Sequence, residues 1–238
     1  MRTQSGVTRC VLAVLAFALV LSFALPATAI TIELLSADSA WKDVVGGTNV
    51  SSSSGATSTL RWGNDAGNGQ SGLDFTGNAP QDVIVSTDFE LGTLTHLNRT
   101  IAGGASTAAT LQVDLVLNSG ATVELSFDVP FSINETPNAG PCPVGSPPCA
   151  DIISFPADFP DFFFVKGKDL FRLDILGFQD AAGFTSQFIS PENTTDNDAD
   201  LFAHIFFVRH IPEPSTLLLL GLGLVGMAAW GRKRSIPR

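Results

Sequence analysis

Tyrosine is absent from the 238 residues, and methionine (two), histidine (three) and cysteine (three) are scarce. Without tyrosine, and with only Trp41 and Trp62 ahead of the C-terminal tail, an aromatic platform for stacking sugars is thin. Of the histidines, His204 and His210 share strand parity six residues apart, too far to chelate one ion without a bend, and His96 stands alone. No G-x-S-x-G and no Cys–His pair occurs, so no catalytic residues are expected. Carboxylate pairs of the kind that hydrolyse glycosides stay open, because their spacing is spatial rather than sequential. Positive charge is also short, with 13 Lys and Arg against 23 Asp and Glu. Setting aside Arg2, Arg9, Arg232, Lys233, Arg234, Arg238 and Glu213 at the two ends leaves seven basic residues against 22 acidic ones, a net of about −15. Such a surface repels nucleic acid and anionic lipid, and suits a secreted protein.

The long apolar runs sit at the two ends. At the front, Arg2 and Arg9 precede an apolar stretch from Val11 to Leu25, and Ala27-Thr28-Ala29 is a small-residue cleavage pattern. Residues 1–29 therefore read as a signal peptide, with the export machinery and signal peptidase as partners. At the back, 211–238, Pro212-Glu213-Pro214 precedes an uncharged run from Leu217 to Trp230, and Arg232-Lys233-Arg234 follows as a basic stop. A helix from Ser215 to Gly231 would rise about 25 Å against about 30 Å of hydrocarbon, short but able to span. The basic cluster belongs on the cytoplasmic side, which puts everything before Pro212 outside. The two prolines fix φ and remove donors, so the junction is extended and stays out of the helix.

Pro212-Glu213-Pro214, the Gly-punctuated apolar helix and Arg232-Lys233-Arg234 together resemble the PEP-CTERM sorting signal of Gram-negative bacteria. The resemblance implies recognition and processing by an exosortase, transient membrane anchoring, then release or attachment at the cell surface. It also implies an association with exopolysaccharide and biofilm, and extracellular polysaccharide as a further partner. A C-terminal anchor that stays attached is the alternative.

Between the ends, 30–210 is one domain's worth of chain with strand-like period two and no amphipathic helix. Leu111, Val113, Leu115 and Leu117 alternate with Gln112, Asp114 and Val116; Val123, Leu125, Phe127 and Val129 alternate with Glu124, Ser126 and Asp128, and Asn118-Ser119-Gly120 joins the two runs as a hairpin. Further strands are expected at 31–35, 58–62, 72–75, 89–98, 151–155, 162–165, 168–177, 184–190 and 201–210. The last of these carries bulk on both faces, which predicts a central strand covered on both sides. Val50 to Thr59 is low in complexity and reads as an exposed loop. About ten short strands with Gly, Pro and Asn turns predict an all-β, antiparallel two-sheet β-sandwich, jelly-roll-like, with a closed barrel as the alternative.

Thr95-His96-Leu97-Asn98, with Ser71 to Phe75 before it and Ile133 to Asn138 after, is similar to the THxN family of PEP-CTERM proteins, related to choice-of-anchor extracellular domains. That resemblance implies an extracellular β-rich domain and names no activity. Physically, Thr95, His96 and Asn98 read as strand residues whose polar side chains bond to neighbouring backbone. Cys142 and Cys149, in an exported domain, are expected to form a disulfide; a metal or redox pair is disfavoured by the lack of C-x-x-C spacing and of a nearby histidine. No cofactor is expected. The one weak calcium candidate is Asp196, Asp198 and Asp200, which resembles the front of a calcium loop but has Leu201 where Gly should turn the chain and Phe207 where a bidentate Glu belongs. The functional expectation is an exported non-enzymatic protein with a structural or binding role at the cell surface. A secreted carbohydrate-binding or carbohydrate-acting protein is the alternative.

Overall fold

A computed structural model describes residues 29–118, 120, 122–136, 141–192, 196–211, 215 and 218–225. Sixteen strands are seen among the described residues: β1 (Thr31–Gly46), β2 (Ser51–Gly55), β3 (Thr57–Trp62), β4 (Asn64–Asp65), β5 (Ser71–Gly77), β6 (Gln81–Ile84), β7 (Asp88–Leu97) and β8 (Ile101–Ala102), then β9 (Ser106–Asn118), β10 (Thr122–Asn134), β11 (Asp151–Ser154), β12 (Phe162–Lys166), β13 (Asp169–Asp180), β14 (Gly183–Thr185), β15 (Gln187–Ser190) and β16 (Asn197–His210).

Fourteen of them form one antiparallel sheet in the order β12-β13-β16-β7-β5-β3-β2-β1-β9-β10-β11-β15, with β14 beside β13 and β6 beside β1. β4 and β8 make a separate two-stranded sheet. The all-β antiparallel class holds, but one continuous curled sheet stands where two separate ones were expected. The seam is β2, whose Ser51, Ser52 and Ser53 pair with Arg61, Leu60 and Thr59 on one side. Ser54 and Gly55 pair with Ala40 and Ser39 on the other. The expected loop at 50–59 is therefore largely strand, because ladder hydrogen bonds come from backbone and need no apolar side chain.

The curl brings the sheet's far ends face to face across one core. Phe127 on β10 stacks on Phe162 of β12 with ring centroids 4.6 Å apart. Phe178 on β13 lies 6.3 Å from Phe131 of β10 and 5.8 Å from Phe188 of β15. Alternation selects the inward residues: on β9, Leu111, Val113, Leu115 and Leu117 are buried, and β10 answers with Phe127, Val129, Phe131 and Ile133. On β16 one face is buried through Leu201, Ala203 and Ile205, while Phe202 and Phe206 are only half-buried and Phe207 and Val208 are exposed. The strand is central in the sheet but covered on one face, not both. Its outer aromatics are sheltered within the sheet surface instead, Phe202 by Phe184 and Phe206 by the Arg172 guanidinium 4.6 Å from its ring.

Residues 1–28 of the signal peptide expected at 1–29, Ala27 among them, the Pro212-Glu213-Pro214 junction and the Arg232-Lys233-Arg234 cluster lie outside the described residues; Ala29 is exposed. No helix among the described residues is long and apolar enough to cross a membrane. The helical stretch at 218–225 rises about 12 Å, less than half of the expected span, and the rest of the 217–230 run lies outside the described residues.

Candidate functional site

At one end of the core, polar side chains from both halves of the sheet converge. β10 and β11 are antiparallel neighbours whose last ladder pair is Asn134 with Ile152. One step further, Glu135 and Asp151 are left side by side where the ladder ends. Asp151 is paired in turn with Ser190 on β15. From the other half come Trp62, the last residue of β3, and His96, the last but one of β7. Gly63 follows Trp62 with φ +83°, and a Cβ there would lie 2.5 Å from Ile101 Cδ1, so the turn that holds Trp62 requires glycine.

Hydrogen bonds tie the halves together. Trp62 Nε1 donates to Glu135 Oε1 at 2.7 Å. His96 Nδ1 and Ser190 Oγ are 2.8 Å apart, and Asn98 Nδ2 donates to the Ser190 carbonyl at 2.9 Å. Asp151 Oδ1 accepts from the Thr136 backbone N–H at 2.7 Å and from its hydroxyl at 3.1 Å. The Trp62 and His96 rings stack at 6.2 Å with a 22° interplanar angle. His96 is wholly buried and Asp151 is 1% exposed, yet His96 Nε2, Asp151 Oδ2 and Asn98 Oδ1 have no hydrogen-bond partner. One ligand atom each from His96, Glu135 and Asp151 lie within 4.8 Å of one another. Glu135 and Thr136 also line a cleft of about 290 Å³ with Arg99, Thr100, Ile101 and Glu192.

Burial governs the charge states here. It holds His96 far below its ordinary value, at about 3, so the imidazole is neutral. Burial raises Glu135 well above the carboxylate range, and the neighbouring Asp151 charge adds to the rise. Burial raises Asp151 as well, opposed by the Thr136 N–H and hydroxyl that favour its charged form. Two carboxyls so close do not ionise together at little cost; the proton stays on Glu135, the member without backbone donors. The cluster can therefore bind one proton or give it up to a cation.

The structure brings His96 and Asn98 of the sequence motif into this cluster, where Asn98 meets backbone as expected and His96 meets the Ser190 side chain instead. Thr95 points elsewhere, donating to Asp198 Oδ1 at 2.7 Å. Asp198 and Asp200 line the exposed face of β16 with Asp196 just ahead of it, and each is engaged separately: Asp196 by Arg99, Asp198 by Thr95, and Asp200 by Thr93 at 3.0 Å. The three aspartates thus meet different partners, two along β16 and one just ahead of it. Cys142 and Cys149 are bridged, with Cα atoms 5.2 Å apart. Trp41 is buried like Trp62, so neither offers a sugar platform. Asp151 and Ser190 carried no role in the sequence, and neither Glu135 nor Trp62 was singled out for this cluster; the two halves meet only across long separations, as in the Trp62–Glu135 bond spanning 73 positions and the His96–Ser190 contact spanning 94.

A protein-family model matches residues 210–234. That stretch is a PEP-CTERM protein-sorting motif. No curated protein matches the chain. The PEP-CTERM motif implies an exported protein processed by an exosortase, and a surface or extracellular location. It begins at His210, the end of β16, so the sorting segment starts where the β domain stops.

Proposed function

We propose that the chain is a non-enzymatic surface or matrix protein, delivered by its PEP-CTERM tail, whose β domain serves a structural or binding role in the exopolysaccharide environment. The observation that carries this reading is the motif at 210–234, placed immediately after the last strand. The acidic balance, the Cys142–Cys149 bridge and the THxN resemblance around His96 support an extracellular life for the domain. Mass spectrometry of the mature protein from the exporting cell tests it. A C-terminus at or next to Pro212–Pro214, with the apolar run and Arg232-Lys233-Arg234 gone, is expected. A chain recovered only in its intact form, ending at Arg238, sinks it.

The carbohydrate-directed reading is supported by a second cleft, of about 370 Å³, where Asp43, Asp128 and Asp158 border Phe159, Pro130 and Pro160. Carboxylates beside an aromatic ring suit polyol recognition. Binding of the exporting organism's own polysaccharide, abolished by Phe159→Ala, would favour it over a purely structural role.

A further inference from the structure

We infer that His96, Glu135 and Asp151 form a site for one divalent cation of the first transition row, of the class that includes zinc and manganese. The inference stands on the β domain alone and is independent of how the tail is processed.

Each of the three side chains is held through one of its polar atoms and leaves the other to the cluster. His96 has Nδ1 against Ser190 Oγ, and its remaining nitrogen, Nε2, is buried without a partner. Asp151 has Oδ1 fixed by two donors of Thr136, and Oδ2 is buried without a partner. Glu135 has Oε1 fixed by the Trp62 indole. A hydrogen bond on the far atom of each ligand is the arrangement that orients metal ligands, with Nδ1–H donating to Ser190 and the lone pair left on Nε2. The mutual spacing is within 4.8 Å, so a small inward shift of these side chains would set bonds of about 2.0–2.2 Å to a shared ion. A bound ion would supply the partner that Nε2 and Oδ2 lack.

The donor set selects the class of ion. One imidazole and two carboxylates suit zinc, manganese or ferrous iron. Calcium asks for six to eight oxygens and takes no advantage of imidazole. The cleft bordered by Glu135 and Thr136 gives an entry path, and room for water to complete the coordination.

The test uses the full untagged chain, stripped with EDTA and titrated separately with ZnCl2, MnCl2 and CaCl2 by calorimetry, with Co2+ absorbance as a coordination readout. One zinc or manganese per chain is expected, with calcium binding far weaker and Co2+ giving the intense visible bands of a low-coordinate N/O site. Glu135→Gln keeps an oxygen for the Trp62 indole, and Asp151→Asn keeps one for Thr136; either substitution should abolish stoichiometric binding. Trp62→Phe, which retains the ring and removes the donor to Glu135, should weaken binding about tenfold. Absence of stoichiometric binding by the wild-type chain overturns the proposal without any variant. So does binding that survives unchanged in both Glu135→Gln and Asp151→Asn, or a preference for calcium.

Discussion

At the scale of residues, the cluster makes the metal-free protein's stability depend on pH in a direction that can be worked out. His96 is held at about 3 against an ordinary 6.5, so it binds fewer protons folded than unfolded. Its contribution is present above about pH 6.5 and is lost as pH falls toward 3. Glu135 and Asp151 are shifted the other way by burial, binding more protons folded than unfolded. Their contribution is greatest at low pH and falls as pH rises from about 4 through their raised folded values. Above pH 6.5 His96 adds no slope, so within the cluster only the carboxyl pair contributes to the limb. With EDTA present, the melting temperature is expected to fall by a few degrees between pH 6.5 and 8.5, and Glu135→Gln should flatten that fall. An equally steep decline in the variant would place its origin in the general negative charge of the surface.

At the scale of elements, the disulfide closes part of the connection between β10 and β11, the two strands whose ends supply Glu135 and Asp151. Cys149 is fully buried and stands two residues before Asp151. In the chain-entropy account a loop this short contributes about 2–3 kcal/mol, and the prolines at 143, 147 and 148 trim that by stiffening the reduced chain. Cys142→Ser with Cys149→Ala is therefore expected to lower stability by about 2 kcal/mol. The urea midpoint, compared at unchanged m-value, checks this. An unaltered midpoint would mean the loop is equally ordered without its bridge.

The same scale shows what can be read from residue order and what cannot. The β9–β10 hairpin was legible because its alternation runs unbroken for two long strands. In β1 the buried parity changes from Ile32 and Leu34 to Ala37, Ser39 and Trp41, because the register against β9 shifts between Leu34 and Ser36. That bulge breaks the period, and two of the five inward residues, Ala37 and Ser39, are not bulky enough or apolar enough to announce a strand. β2 was hidden for the opposite reason, since serines pairing through backbone leave no hydrophobic signal at all. In the site, His96 drew notice as a member of a motif, whereas Asp151 looks like any strand-initiating acid. Its role depends on β11 lying between β10 and β15, a non-local fact that no spacing within the chain encodes.

At the scale of the whole β domain, a single core raises the question of whether the two halves of the curled sheet are one folding unit or two. The backbone seam through β2 is thin: three ladder pairs toward β3 and two toward β1. Taken alone, that would allow the halves to part. Three other ties cross between them. The Phe127–Phe162 stack and the Phe131–Phe178 contact bury aromatic area from opposite ends of the sheet. The Ser86 N–H donates to the Ile205 carbonyl of β16 at 2.8 Å, just after β6 has paired with β1. At the site end, Trp62–Glu135 and His96–Ser190 join strands of one half to strands of the other. Buried aromatics contribute about 1.5–3 kcal/mol each, far more than the handful of seam hydrogen bonds, so neither half retains a core without the other. The prediction is one cooperative transition, with tryptophan fluorescence (Trp41 in β1, Trp62 in β3) and far-ultraviolet circular dichroism tracing the same curve in urea. Phe131→Ala, at the centre of the shared core and 2% exposed, should shift both probes together by about 3–5 kcal/mol. Separation of the two curves, in the wild type or in that variant, would show that the halves hold together on their own and that the shared core is not what unites them.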